Sequence, residues 1–226
     1  MARSVPYLPA ARMTFRLFGA LFLGVCATTS WAQRPREQEK TFTAPDGTFA
    51  FRYPSLLIQC ELKKQGSGDG YFWTPPENCA AYHPVCDGDT GEDSTAIACF
   101  AYPRNRYTDS AAFEAATFSV ETVDRVLTKK GCLSGPADQI FVPRSPVTIH
   151  GVSFAVFDFG EGGMSQSVGG SIYRTFHQGK CYQMGINVAT ASAQAFDPPA
   201  REITKRDWHK INGRLEQARD SFRFLK

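Results

Sequence analysis

Three hydrophobic rhythms divide this 226-residue chain. The first is strict alternation. Phe49, Phe51 and Tyr53 alternate with Ala50 and Arg52 between the Pro45-Asp46-Gly47 turn and Pro54, which predicts a half-buried strand. Thr41 to Thr43 predicts a short strand before that turn, and Leu56 to Leu62 a further extended stretch. Thr95 to Tyr102 has strand character and stops at Pro103. Residues 113–130 fit two templates. A helical stripe would use Phe113, Ala116, Val120, Val123 and Leu127; β-branched and aromatic content favours a strand over 113–120 and a short helix over 121–130, ended by Gly131.

The second rhythm is alternation with both faces apolar. Val147 to His150, a turn at Gly151, then Val152 to Phe159 predict two strands, and Phe157 and Phe159 mark the second as interior to its sheet. Gln139 to Pro146 before them predicts a proline-punctuated connector, and Gly160 to Gly170 after them a glycine-rich loop. Ser171 to His177 and Lys180 to Ala191 flank Gln178-Gly179 as a hairpin. The third rhythm is helical. Trp208, Ile211, Leu215, Ala218 and Phe222 recur at alternating spacings of three and four, with Lys210, Arg214 and Gln217 toward water. Thr204 and Asp207 predict a capping box at the start of this helix, and Ser221 to Leu225 a short closing strand or cap.

The front of the chain follows another logic. Arg12 to Arg16 is basic, Leu17 to Val25 is apolar but too short to span a bilayer, and Ser30 and Ala32 are small. Residues 1–32 therefore predict a secretory signal cleaved after Ala32, followed by a flexible lead over 33–40 and a single domain over 41–226. Val25 before Cys26 argues against lipidation of that cysteine. The signal would remove three arginines and no acid, which leaves 22 basic and 22 acidic residues. Such a neutral mature chain has no basic footprint for nucleic acid and no transmembrane segment.

Export changes the meaning of the cysteines. Cys60, Cys79, Cys86, Cys99, Cys132 and Cys181 predict three disulfides. Fifteen pairings are possible, with Cys79–Cys86, Cys60–Cys99 and Cys132–Cys181 preferred. Zinc is disfavoured, since the chain has no Cys-x-x-Cys pair and its four histidines are scattered.

Residues 64–94 are an irregular Cys/Pro/Gly-rich insertion, long enough to need a reason. Tyr71, Phe72, Trp73 and Tyr82 within it are candidate binding residues for a protein, peptide or glycan, or a satellite core under the loop. Asp87, Asp89, Glu92 and Asp93 offer oxygen ligands that suit Ca²⁺, but the twelfth position of an EF-hand frame falls on Ala98, which favours a solvated acidic turn. No other cofactor is expected. Ser165, His177 and Asp158 could be drawn as a hydrolase triad, yet no Gly-x-Ser-x-Gly elbow surrounds Ser165.

Phe42, Asp46-Gly47 and Phe49-x-Phe51-x-Tyr53-Pro54, the hairpin ending at Cys181-Tyr182, and the helix from about 204 to Ser221-Phe222 together resemble the PsbP-like family over about half of the mature chain. The resemblance implies an α+β domain, an α/β/α sandwich around a mainly antiparallel sheet, here with a disulfide-rich loop insertion. It carries no shared catalytic residues and implies a binding or assembly role. The expectation is an exported, periplasmic or extracellular, non-catalytic binding module; the alternative is a hydrolase whose site is assembled by tertiary contacts.

Overall fold

In the computed structural model the described residues are 38–64, 71–74, 94–107, 112–137, 140–163, 165–195 and 197–225. Residues 37–226 form one compact unit. The predicted signal, Cys79, Cys86, Tyr82 and the acidic run Asp87 to Asp93 lie outside the described residues.

Twelve strands and two α-helices make up the described part. They are β1 (Glu39–Thr43), β2 (Phe49–Pro54), β3 (Ile58–Gln59), β4 (Glu61–Lys64), β5 (Tyr71–Thr74), β6 (Ser94–Ala101) and β7 (Phe113–Val123), then α1 (Lys129–Ser134), β8 (Val142–Ile149), β9 (Val152–Gly163), β10 (Gln166–His177), β11 (Lys180–Ala191), α2 (Lys205–Asp220) and β12 (Arg223–Phe224). A seven-stranded antiparallel sheet runs β3-β6-β7-β11-β10-β9-β8, a three-stranded one β1-β2-β12, and β4 pairs with β5 alone. The class is α+β. Among the described residues, α2 and the small sheet lie against one face of the large sheet and the six-residue α1 against the other.

The core lies between α2, the small sheet and the large sheet. Phe49 and Phe51 alternate inward from β2, as their spacing requires; Phe51 meets Phe42, Phe100 and Phe118, and Phe49 meets Phe222, at centroid distances of 5.0–5.3 Å. From α2, Ile211, Leu215 and Ala218 are fully buried in the same cluster. The predicted capping box forms: Asp207 N donates to Thr204 Oγ1 at 3.2 Å, and Thr204 N donates to Asp207 Oδ2 at 3.4 Å. Lys210 faces water, whereas Arg214 and Gln217 are half-buried.

Several expectations give way to the ladder. Residues 121–123 continue β7, because Glu121 and Thr122 pair with β6 on one side and β11 on the other and Val123 pairs with β6; the helix begins later, capped by Thr128, and runs through Gly131 to Ser134. The proline-punctuated segment is the edge strand β8, with a bulge between Arg144 and Val147. An edge tolerates Pro143 and Pro146 because only one side needs backbone donors. Gly160 to Gly170 is mostly strand, with β9 and β10 paired out to Gly163 and Gln166. Strand β1 starts at Glu39, so order begins before the end of the expected lead. The Gln178-Gly179 hairpin is as expected, both residues taking positive φ (47° and 79°), a type I′ pattern.

Cys132 and Cys181 are bonded, joining α1 to β11 across 49 positions. Cys60 and Cys99 are each disulfide-bonded as well. No described helix is long and apolar enough to cross a membrane.

Candidate functional site

The register of β9, β10 and β11 explains where a site opens. On the face toward α2, one row across the sheet is Val120, Met184, Tyr173 and Val156; the next is Phe118, Ile186, Ser171 and Asp158. The third row is Ala116, Val188, Gly169 and Gly160, and beyond it stand Thr190, Ser167 and Gly162. Side chains shrink toward the ribbon tip. The helix above does not descend with them, so a groove of about 690 Å³ remains between α2 and the ribbon. Its helical wall is Trp208, Asn212 and Glu216, spaced four apart and hence one stripe.

Charges in the groove are mostly acidic. Among the described residues Asp158, Glu161 and Glu216 line it with one base, Arg144. Arg144 Nη1 lies 3.2 Å from Asp158 Oδ2, and Ser171 Oγ donates to Asp158 Oδ1 at 2.6 Å. Among the described residues Glu216 has a long contact, 3.8 Å, to Arg219, which itself donates to Tyr173 Oη at 2.7 Å and lies over that ring. Ser167 and Thr190 hydroxyls share a hydrogen bond of 2.8 Å at the far end.

A second polar constellation occupies the opposite face of the sheet. Arg174, Gln183 and Glu121 are all buried. Arg174 Nε donates to Gln183 Oε1 at 2.6 Å, Gln183 Nε2 donates to Glu121 Oε1, and Ser94 Oγ donates to Glu121 Oε2 at 2.8 Å. A buried charge held in such a chain fixes strand register and is costly to break from either end.

The hypothetical triad is taken apart by the strand itself. Ser165 sits at the ribbon tip with φ 69°, while His177 closes the other end of β10 and stacks on Phe224 at 3.8 Å. Twelve extended residues separate them by about 40 Å. Asp158 stands in the groove, but no histidine lines it. For Tyr71, Phe72 and Trp73 the described feature is the backbone of β5, paired to β4 outside the large sheet; their side chains are outside the described residues. Among the described residues no three His, Cys, Asp or Glu side chains gather as a metal site. Trp208 belongs to the apolar stripe by spacing, yet it is half-buried and lines the groove. The available sequence signal was the cluster of glycines at 160–163 and 169–170, which removes side chains from one stretch of a sheet.

No family model and no curated protein matches the chain. Among solved structures it is similar to LpqN, involved in cell envelope biogenesis of Mycobacterium tuberculosis, at 9% identity and TM-score 0.42 over 84% of this chain and 91% of that one. It is similar to cyanobacterial PsbP from Synechocystis sp. PCC 6803 at 12% identity and TM-score 0.40, covering 90% and 99%. It is also similar to the Saccharomyces cerevisiae Ran-binding protein Mog1p at 12% identity and TM-score 0.41, covering 84% and 97%. The resemblance to PsbP-like proteins is one of structure.

Proposed function

We propose that the chain is an exported, non-catalytic binding module, and that the groove between α2 and the β9–β10–β11 ribbon takes a basic, extended segment of a partner protein. The observation that carries this reading is the pairing of a half-buried tryptophan with an acidic lining. Trp208 supplies a flat apolar face at the lip. Asp158, Glu161 and Glu216 exceed the one cation, Arg144, by two charges. One basic side chain of an extended segment can lie over the indole while another reaches Glu216, about 12 Å further along the same stripe. The hydroxyl of Ser171 is committed to Asp158, and a carboxylate without an imidazole is a poor activator of a serine, which supports binding over hydrolysis. Export is supported by the basic, apolar and small-residue succession of residues 1–32 and by the Cys132–Cys181 bond, which persists in oxidising compartments.

The test is a titration of the mature protein with an Arg/Lys-rich peptide and a Glu-rich peptide of the same length, followed by tryptophan fluorescence and calorimetry. The basic peptide should bind, weaken as salt rises, and lose several-fold in affinity with Glu216→Gln and more with Trp208→Ala. Equal affinity for both peptides, or affinity untouched by either substitution, would overturn the reading.

A further inference from the structure

A second cavity, of about 200 Å³, has the opposite electrostatic character. Its floor follows from the register of the small sheet. Phe49, Phe51 and Tyr53 point into the core, so Ala50 and Arg52 point outward from β2. Thr41 stands opposite Arg52 on β1, and Arg223 opposite Ala50 on β12. Ala50 has only a methyl group, and it is buried between longer neighbours. The result is a dent walled by Thr41, Arg52 and Arg223, closed by His150 from the β8–β9 turn.

We infer that this dent is a binding site for a tetrahedral oxyanion, with phosphate as the chemical class. Three basic residues, Arg52, His150 and Arg223, line it from three separate chain segments. Arg52 Nη1 pairs with Glu39 at 3.2 Å, which leaves most of its five guanidinium donors uncommitted by that contact. Glu39 also accepts from Gln217 Nε2 at 2.6 Å, so its carboxylate is shared with α2. Neither Arg223 nor His150 forms an ion pair among the described residues. Ser221, also in the wall, is used internally: its Oγ accepts from Arg52 N and donates toward backbone carbonyls, which holds the Arg52 backbone in place. The volume equals roughly six or seven waters at about 30 Å³ each, room for one phosphate group and part of its hydration. Arginine forks are suited to such an ion because two N–H groups match two of its oxygens.

Free phosphate and a phosphorylated lipid headgroup share this chemistry, and two arms separate them. In the first, inorganic phosphate is titrated into the full mature protein and backbone amide shifts are followed by NMR. Shifts should concentrate at Thr41, Arg52, His150 and Arg223. Arg223→Gln should weaken binding about tenfold or more, the loss of one charge-assisted hydrogen bond. His150→Asn, whose side chain tolerates the φ of 46° at this turn, should weaken it by a smaller factor. In the second arm, sedimentation with phosphatidylglycerol vesicles and with phosphatidylcholine vesicles asks for the headgroup. Co-sedimentation with the former that Arg223→Gln abolishes assigns the site to a lipid phosphate; phosphate binding without it assigns a soluble ligand. Binding of neither, or binding indifferent to both substitutions in variants with wild-type thermal midpoints, would overturn the inference.

Discussion

Gly170→Ala tests the architecture of the groove directly. A methyl group built on Gly170 would stand 1.9 Å from the Ile186 carbonyl oxygen, 2.9 Å from its carbon and 3.1 Å from Asn187 Cα. Carbon–oxygen contacts between neighbouring strands lie near 3.3–3.6 Å, so β10 and β11 would have to separate by roughly 1.4 Å at this point. Little slack is available, because β10 is paired along its whole length to β11 and over nine positions to β9. Relief means breaking about two ladder hydrogen bonds in the sheet interior and absorbing overpacking strain. Together these cost about 3–5 kcal/mol. Had the segment been the loop its glycines suggest, the same substitution at a permissive backbone would stabilise by about 0.4–1 kcal/mol through the unfolded chain. The two structures therefore predict opposite signs. Gly163→Ala is the control, since nothing lies within 4 Å of its added methyl. Urea denaturation of both variants measures the difference. At a slope of about 2 kcal/mol/M, Gly170→Ala should lower the midpoint by about 2 M, whereas Gly163→Ala should move it by less than about 0.3 M. A Gly170→Ala midpoint at or above wild type would refute the paired ribbon, and with it the derivation of the groove floor.

Four further outcomes are expected. Leu215→Ala, at a position with no solvent exposure, should cost about 2–5 kcal/mol, and Lys210→Ala less than about 0.5 kcal/mol, both read by chemical denaturation. Gly213→Ala, on an exposed stretch of α2 with no atom near the added methyl, should stabilise by about 0.5–1 kcal/mol in the same assay. Replacing Cys132 and Cys181 by serine together frees an unfolded loop of about 50 residues, for which chain entropy gives about 4 kcal/mol; the fully oxidised mature protein should show no titratable thiol, and two or more would break the three-disulfide expectation. Hydrogen bonds from Thr204 hold the Asp207 carboxyl below its ordinary value, so its contribution is present above about pH 3.8, the unfolded value, and is lost as pH falls through the lower folded one; the stability gap between wild type and Asp207→Asn should close in acid.

Local pattern was enough for the elements whose signals lie within a few residues. Phe49 to Tyr53 alternate and form β2; Gln178-Gly179 makes its hairpin; Thr204 and Asp207 cap a helix whose Ile211, Leu215 and Ala218 enter the core. Those outcomes depend on side-chain period, positive φ and caps, which the chain carries in place. Partner strands decided the rest. Residues 121–123 are strand because β6 supplies a ladder to all three and β11 a second one to Glu121 and Thr122. Pro143 and Pro146 sit in a strand because it is an edge. Gly160 to Gly163 pair with residues 166–169, turning a glycine-rich run into a paired ribbon with few bulky side chains. The groove needs that ribbon, the register that stacks small residues across three strands, and a helix from later in the chain to roof it with Trp208 and Glu216. The oxyanion dent likewise joins Thr41, Arg52, His150 and Arg223 from the two ends and the middle of the domain. Neither cavity has a local motif, because each is a gap between elements, and its shape exists only once long-range pairing has set which side chains meet.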